Sequence, residues 1–199
     1  AGNYLFNLIL GRWLGPEAFS DLSLIVTLML MITFITATFQ LTAARFAAIH
    51  TADNADAELA GVRRWMGRLA WALGGLLLLV LGVGAPYWQQ FFHTASAWPF
   101  VILSVGLPLY FVQGVDRGVL QGQTRFGRLA LSYQAEMWVR LAAGVAFVAL
   151  GWAVNGAVGA LTLSFVATWL VARAAGNSLP AAPTLSPEAR KTVALFAVP

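Results

Sequence analysis

The sequence predicts an all-α fold, a polytopic bundle of transmembrane helices. Of its 199 residues, 59% are hydrophobic and only 10% are charged, whereas a soluble domain carries about 25% charged residues to keep its surface hydrated. Four segments run for roughly 20 residues or more without an acidic or basic side chain, and a helix needs about 20 residues to cross a bilayer. These observations exclude a soluble enzyme, a secreted disulfide scaffold and a disordered chain.

Apolar segments along the chain predict six spans, the first of them truncated, and the start of a seventh. The first segment, 2–14, has about 13 residues and is too short for about 30 Å of hydrocarbon, so we expect its beginning to be missing. The chain also closes within an apolar segment, 193–199, as expected for a piece of a longer protein. The remaining spans are predicted at 22–44, 69–88, 98–115, 129–151 and 154–172.

Composition divides the chain into three parts. We expect an amino-terminal six-helix lobe over residues 1–176, a Pro-rich cytoplasmic linker over 177–187, and the start of a seventh helix over 188–199. The polar residues 50–68 carry apolar side chains at helical spacing, which predicts a short interfacial helix before the third span. Pro108 predicts a kink within the fourth span.

Basic residues predict the orientation of the bundle. Ten of the 12 Lys and Arg residues lie in three alternate loops, and the other three loops contain only Arg12. Because cytoplasmic loops are enriched in Lys and Arg, the amino end and the linker are predicted to be cytoplasmic. The same enrichment accounts for the net charge of +4, so we expect no nucleic-acid partner. The basic loop residues are Arg45, Arg63, Arg64, Arg68, Arg117, Arg125, Arg128, Arg173, Arg190 and Lys191.

Glu136 and Arg140 are ionisable residues inside the fifth predicted span. They lie about 10 Å and 16 Å from its start, and their i, i+4 spacing places them on one helix face together with Tyr133. A lone charge at this depth costs about 2.5–3.5 kcal/mol, so such residues usually face a partner or a cavity. Two interpretations stay open: the pair neutralises itself and holds helices together, or both residues line a polar cavity.

Further candidate residues lie towards the cytoplasmic side. Asp116 and Arg117 end the fourth predicted span, one turn from Gln113. These residues are candidates for the substrate path, and an interfacial pair that marks the membrane border is an equally good interpretation of Asp116 and Arg117. Arg45 lies in the same layer, where a snorkelling arginine is the simpler interpretation. Gln40 is an amide within a span, a residue type that commonly bonds across helices. It belongs to a polar stripe formed by Thr33, Thr36 and Gln40.

The sequence carries no catalytic or metal-binding motif. By this topology His50 and His93 lie at opposite membrane faces and cannot share a metal ion, and the chain has no cysteine. It also has no Gly-rich phosphate loop, nucleophile elbow or carboxylate dyad. We therefore expect neither a cofactor nor a metal, and no enzymatic activity.

Two motifs resemble those of bacterial polysaccharide flippases, in the multidrug/oligosaccharidyl-lipid/polysaccharide exporter superfamily. The first is GRWLGPEAF at 11–19, followed by a Leu/Thr-rich helix that ends in Ala-Arg-Phe at 44–46. The second is RGVLQG at 117–122, followed by FGRLA at 126–130. The similarity continues through Glu136, Arg140-Leu141 and Leu150-Gly151, so in order and spacing it spans nearly the whole chain.

The resemblance implies two six-helix lobes around a cavity that opens alternately to either side, with this chain as the amino-terminal lobe. It implies transport of an undecaprenyl-linked oligosaccharide across the bacterial cytoplasmic membrane. Arg45, Arg117 or Arg140 would then contact the pyrophosphate, since guanidinium groups suit phosphate oxygens, and Glu136 would orient Arg140 or gate the cavity. The expected partners are the lipid-linked glycan, membrane lipids, and the missing carboxy-terminal lobe or a partner chain.

Two other functions stay open. A drug or cation antiporter of the same superfamily would have mainly acidic residues in its cavity, whereas basic residues are at least as prominent here. A non-transporting subunit of a larger membrane assembly would explain why both ends of the chain look truncated. A lobe without a partner would expose the polar face of its fifth span to lipid, which is unfavourable.

Overall fold

The computed structural model describes residues 2–176 together with 193 and 195, and every regular element in them is helical. The predicted all-α class is confirmed for these residues. The linker predicted at 177–187 lies outside them, as does all of the segment predicted at 188–199 except Val193 and Leu195. The helices are α1 (Gly2–Ala52), α2 (Asp56–Leu78), α3 (Ala85–Phe92), α4 (Trp98–Gly122), α5 (Phe126–Ala149) and α6 (Ala153–Gly176).

α1 contains the first two predicted segments, joined by a sharp turn. Gly15 has φ 75° and ψ 170°, a conformation that glycine adopts without steric cost, and Pro16 then starts the second arm. Phe6 of the first arm lines the same cavity as Leu30 of the second arm. Because a straight helix would separate these residues by about 36 Å, the chain reverses at Gly15. The second arm continues to Ala52, beyond the end predicted at residue 44.

Several helices have the length and hydropathy of membrane spans, so the chain is a multi-pass membrane protein. α5 is not among them, because it carries Glu136 and Arg140 in its middle. The six predicted spans stay a prediction, in which the two arms of α1 and the polar helix α5 each cross the membrane. The four helices of the described residues that are long and apolar enough are Leu8–Ala52, Asp56–Val83, Trp98–Gly122 and Ala153–Ala174.

The short helix predicted over residues 50–68 is not an element distinct from the third predicted span, and its interfacial location stays a prediction. α2 begins at Asp56 and runs through this region into the apolar segment, where a π-helix, Leu79–Val83, extends it. The physical reason is a continuous buried side, which includes Leu59, Met66 and Ala70. No proline interrupts this side, and the boundary between polar and apolar sequence is therefore not a helix boundary.

α4 lies at the centre of the bundle and packs against α1, α2 and α6. Gly118 allows its backbone to approach α1, since a Cβ at this position would lie 2.3 Å from the carbonyl oxygen of Gln40. Gly122 makes the same kind of contact one turn later, where a Cβ would lie 2.2 Å from the carbonyl oxygen of Ala44. These contacts hold the polar stripe of α1 beside the polar face of α4.

α4 also approaches α2 closely on its other side. The helix runs without a break through Pro108, and the kink expected there stays a prediction. A Cβ at Gly74 of α2 would lie 2.5 Å from the Cα of Pro108. α4 is therefore enclosed from two sides by backbone contacts that only glycine permits.

Candidate functional site

A cavity of about 630 Å³ lies between α1, α4, α5 and α6. Its polar lining follows the helical repeat, because residues three or four apart share one face of a helix. Its apolar wall includes Phe6, Met29, Met137 and Leu161. The polar residues are Thr27, Thr33, Thr36 and Gln40 on α1, Tyr110, Gln113 and Arg117 on α4, and Tyr133, Glu136 and Arg140 on α5.

Glu136 binds two arginines with its two carboxylate oxygens. Its Oε2 accepts a hydrogen bond from Nη2 of Arg117 at 2.7 Å, and its Oε1 accepts one from Nη2 of Arg140 one turn along α5. All three side chains are largely buried. Both sequence interpretations of Glu136 and Arg140 therefore hold at once, since the residues pair with each other and line the cavity.

Arg117 is held by α5 through contacts in addition to Glu136. Its Nε donates to Oγ of Ser132 and its Nη2 donates to the carbonyl oxygen of Ser132, each at 3.1 Å. Its guanidinium carbon lies 3.9 Å from the ring centroid of Tyr133, a cation–π contact. The Arg117 guanidinium is thus positioned even without the Glu136 carboxylate.

The neutral side chains of the cavity form three cross-helix hydrogen bonds. Oγ1 of Thr33 lies 2.8 Å from Oη of Tyr110, which connects α1 to α4. Nε2 of Gln40 lies 3.1 Å from both Oε1 of Gln121 and Oη of Tyr133, which connects α1 to α4 and α5. The hydroxyl groups of Thr33 and Tyr110 and Nε2 of Gln40 therefore already have hydrogen-bond partners within the protein.

Gln113 differs from its neighbours in the cavity wall. Its side chain is 1% exposed, and neither Nε2 nor Oε1 has a hydrogen-bond partner among the described residues. A buried polar group without a partner costs about 1–3 kcal/mol. This amide therefore lacks partners that a ligand can supply.

The structure brings together four of the six residues predicted for the site. Gln113, Arg117, Glu136 and Arg140 line one cavity. Asp116 points elsewhere, because Oδ1 accepts a hydrogen bond from Nε of Arg63 of α2 at 2.8 Å.

Arg45 is the sixth predicted residue, and a prediction about the location of Arg117 is also tested. Arg45 is exposed and is not part of the cavity lining. Assignment of Arg117 to a cytoplasmic loop is wrong, because α4 continues to Gly122 and leaves Arg117 only 5% exposed. The Glu136 carboxylate and the Ser132 oxygens compensate for burial of its charge.

Tyr110 is a cavity residue that the sequence analysis missed. Its spacing of three and seven residues from Gln113 and Arg117 is the signal that would have placed it on their helix face. The pairing of Asp116 with Arg63 had no such signal, since the residues belong to different helices.

The geometry suits an anionic ligand with additional polar groups. Two arginines and one glutamate give the described lining an excess of positive charge. Among residues 2–176, no group of three His, Cys, Asp or Glu side chains could hold a metal ion.

Solved structures share this fold. The chain aligns with the outward-facing conformation of a multidrug resistance MATE family transporter of the MOP superfamily, with a TM-score of 0.82 and 21% identity over 96% of this chain and 47% of the transporter. An inward-facing conformation of such a transporter gives a TM-score of 0.84 and 18% identity over 98% and 48% of the two chains. The chain therefore has the fold of about half of a MATE transporter.

Sequence comparison defines the family. Residues 3–184 match the polysaccharide biosynthesis protein family, and the chain belongs to it. The predicted resemblance to polysaccharide exporters of this superfamily is confirmed. Uncharacterised proteins from two strains of Mycobacterium tuberculosis are 29% identical over 130 residues, which make up 65% of this chain and 30% of each relative.

Proposed function

We propose that this chain is the amino-terminal lobe of a flippase for undecaprenyl diphosphate-linked oligosaccharide. The observation that carries the proposal is the pair Arg117 and Arg140, held around Glu136 in a cavity inside a membrane bundle. Membership of the polysaccharide biosynthesis family supports a glycan-related substrate. The diphosphate gives that substrate the negative charge that the cavity complements.

Binding would proceed by exchange of anions on the arginines. Glu136 occupies one Nη atom of each arginine, and phosphate oxygens bind guanidinium groups in the same way as carboxylate oxygens. The incoming diphosphate takes these positions, and Glu136 moves aside. Arg117 keeps its contacts to Ser132 and Tyr133 during the exchange, so the site stays organised.

Transport would occur by alternating access, with a second lobe completing the cavity. The fold is that of transporters solved in both outward-facing and inward-facing conformations, which supports this step. The chain spans about half of those transporters, which supports a second lobe or partner chain. The amino end would face the cytoplasm of a bacterial cell, with the protein in the cytoplasmic membrane.

A drug or cation antiporter is the second candidate. The multidrug transporters among the structural matches favour it. The lining argues against it, because a cationic drug would meet Arg117 and Arg140 with only Glu136 to balance them. A non-transporting subunit is the third candidate, and it predicts no translocation of any lipid.

Leaflet exchange of a fluorescent lipid tests the proposal. The whole protein is reconstituted in liposomes with NBD-labelled undecaprenyl diphosphate-oligosaccharide, and dithionite quenching reports movement between leaflets. We expect Arg140→Gln to slow this movement about tenfold or more, because one of two diphosphate contacts is lost. Arg64→Ala is the matched control, since Arg64 is exposed and lies outside the cavity lining.

The alternatives give different results in the same assay. Arg140→Gln protein that is folded and moves the lipid at the wild-type rate would refute the anion site. Wild-type protein that leaves the lipid in place but exports a cationic dye would support the antiporter. A protein that moves neither compound would support the subunit.

A further inference from the structure

We propose that Gln113 binds the first sugar of the lipid-linked glycan and so contributes to the choice of glycan. This inference rests on the proposed function and adds a second subsite to the arginine site. It starts from the buried amide whose Nε2 and Oε1 have no partner in the described part of the chain. Gln113 is one of the residues that line the same cavity as the arginines.

The chemistry of an amide selects the kind of ligand group. Nε2 donates hydrogen bonds and Oε1 accepts them, so full satisfaction requires a group that does both. An ionised phosphate only accepts and would leave Oε1 without a partner. A sugar hydroxyl or an acetamido group donates and accepts, and it complements both atoms of Gln113.

The position of Gln113 selects the sugar. It lies on the same face of α4 as Arg117 and Tyr110. Along the helix axis it is about 6 Å before Arg117 and about 4.5 Å after Tyr110. A group bound at Gln113 is therefore adjacent to a diphosphate held by Arg117 and Arg140. In a lipid-linked oligosaccharide, that adjacent group is the sugar attached directly to the diphosphate.

The neighbouring polar groups make Gln113 the most available contact. Thr36 donates its hydroxyl to the carbonyl oxygen of Ile32 at 3.2 Å, and Thr33 and Tyr110 bond to each other. Gln113 has no such bond to break, so its amide can turn towards a ligand without losing a hydrogen bond. The two hydrogen bonds that Gln113 forms with the ligand then stabilise the complex without replacing bonds of the free protein.

Two lipids that differ only in the sugar test the inference. Undecaprenyl diphosphate and undecaprenyl diphosphate-N-acetylglucosamine are titrated against the whole protein in nanodiscs. We expect Gln113→Leu to weaken binding of the sugar-bearing lipid about tenfold, since two neutral hydrogen bonds are lost. The Kd of the bare diphosphate lipid should stay within about twofold, because the arginines are intact.

Thermal unfolding separates a ligand contact from a structural role. Gln113→Leu should keep or raise the Tm, because it removes a buried amide without partners. Gln113→Met, with an unbranched side chain of similar length, repeats the test in case the branched side chain does not fit. Thr168→Val is the matched control: Thr168 is buried outside the cavity lining, and its hydroxyl already donates to the carbonyl oxygen of Ser164, so the ratio of the two Kd values should stay at the wild-type value.

Each outcome decides the question. If the Gln113 variants weaken both lipids equally, or neither, the sugar subsite is wrong and the arginine site stands. If the wild type gains no affinity from the sugar, the subsite is likewise wrong. If the wild type binds neither lipid, the proposed function and the subsite both fail, and this is visible before any substitution is made.

Discussion

At the residue scale, Glu136 allows two arginines to be buried in a membrane bundle. Isolated charges in this environment are costly, and pairing reduces that cost. Glu136 contacts both Arg117 and Arg140, while Ser132 and Tyr133 provide further contacts to Arg117. The cluster therefore combines a stable resting arrangement with an excess of positive charge that a ligand can use.

Glu136→Gln tests the role of this carboxylate as an internal counter-anion. Because the arginines lose the competing negative charge, we expect undecaprenyl diphosphate to bind about tenfold more tightly, or about 1.4 kcal/mol. Release from the site should slow, so leaflet exchange should fall. Titration in nanodiscs and the dithionite assay measure the two effects.

Glu17→Gln controls for the change in net charge, since Glu17 is exposed and lies outside this cavity. Weaker binding of the diphosphate lipid by Glu136→Gln would contradict the exchange of anions. It would mean that Glu136 supports the bound ligand instead of competing with it.

At the element scale, α4 carries two different faces side by side. Gly118 and Gly122 face α1 at backbone distance, while Gln113 and Arg117 line the cavity. Small residues are the usual means by which membrane helices pack closely. Close packing of α1 against α4 keeps Gln40 within hydrogen-bond distance of Gln121.

Gly118→Ala tests this packing. A Cβ there would lie 2.3 Å from the carbonyl oxygen of Gln40, so the helices must separate, and overpacking of this kind costs about 1–3 kcal/mol. Gly67→Ala is the matched control, because it is a helical glycine with no atom within 4 Å of the added Cβ. We expect the control to raise stability by about 0.5–1 kcal/mol through helix propensity.

Thermal unfolding in detergent measures both variants. The two alanine substitutions should shift the Tm in opposite directions. Equal shifts would show that the contact between α1 and α4 tolerates a methyl group.

Helical spacing predicted the polar face of α5, because this face depends on neighbours along the chain. It missed the depth of Arg117, since a basic residue near a helix end looks like a loop residue unless its partners are known. Those partners, Ser132 and Glu136, belong to α5. Contacts between helices were thus the part of the site that the sequence did not reveal.

At the scale of the whole molecule, the chain forms a helical lobe with the fold of about half of a MATE transporter. Composition and the uncharged segments of about 20 residues were sufficient to predict the all-α membrane class, because 10% charged residues cannot cover a soluble surface and such segments can cross a bilayer as helices. The orientation rests on the distribution of basic residues and stays a prediction. Labelling of two exposed turns can measure this orientation.

Single cysteines test the orientation, since these 199 residues contain no cysteine that would add background labelling. Asp53 follows α1 and Ala95 precedes α4, and both are exposed. We expect a membrane-impermeant maleimide to label Ala95→Cys in intact spheroplasts and to label Asp53→Cys only after lysis. The opposite pattern would reverse the proposed orientation.

The unpartnered amide of Gln113 also has an evolutionary consequence. Most substitutions of buried polar residues break a hydrogen bond and lower stability, so selection removes them before a new activity can appear. Position 113 contributes no such bond to the described structure, and its codon can change without that cost. On the proposed function, one substitution at this position would change the preferred sugar while Arg117 and Arg140 keep the diphosphate contact.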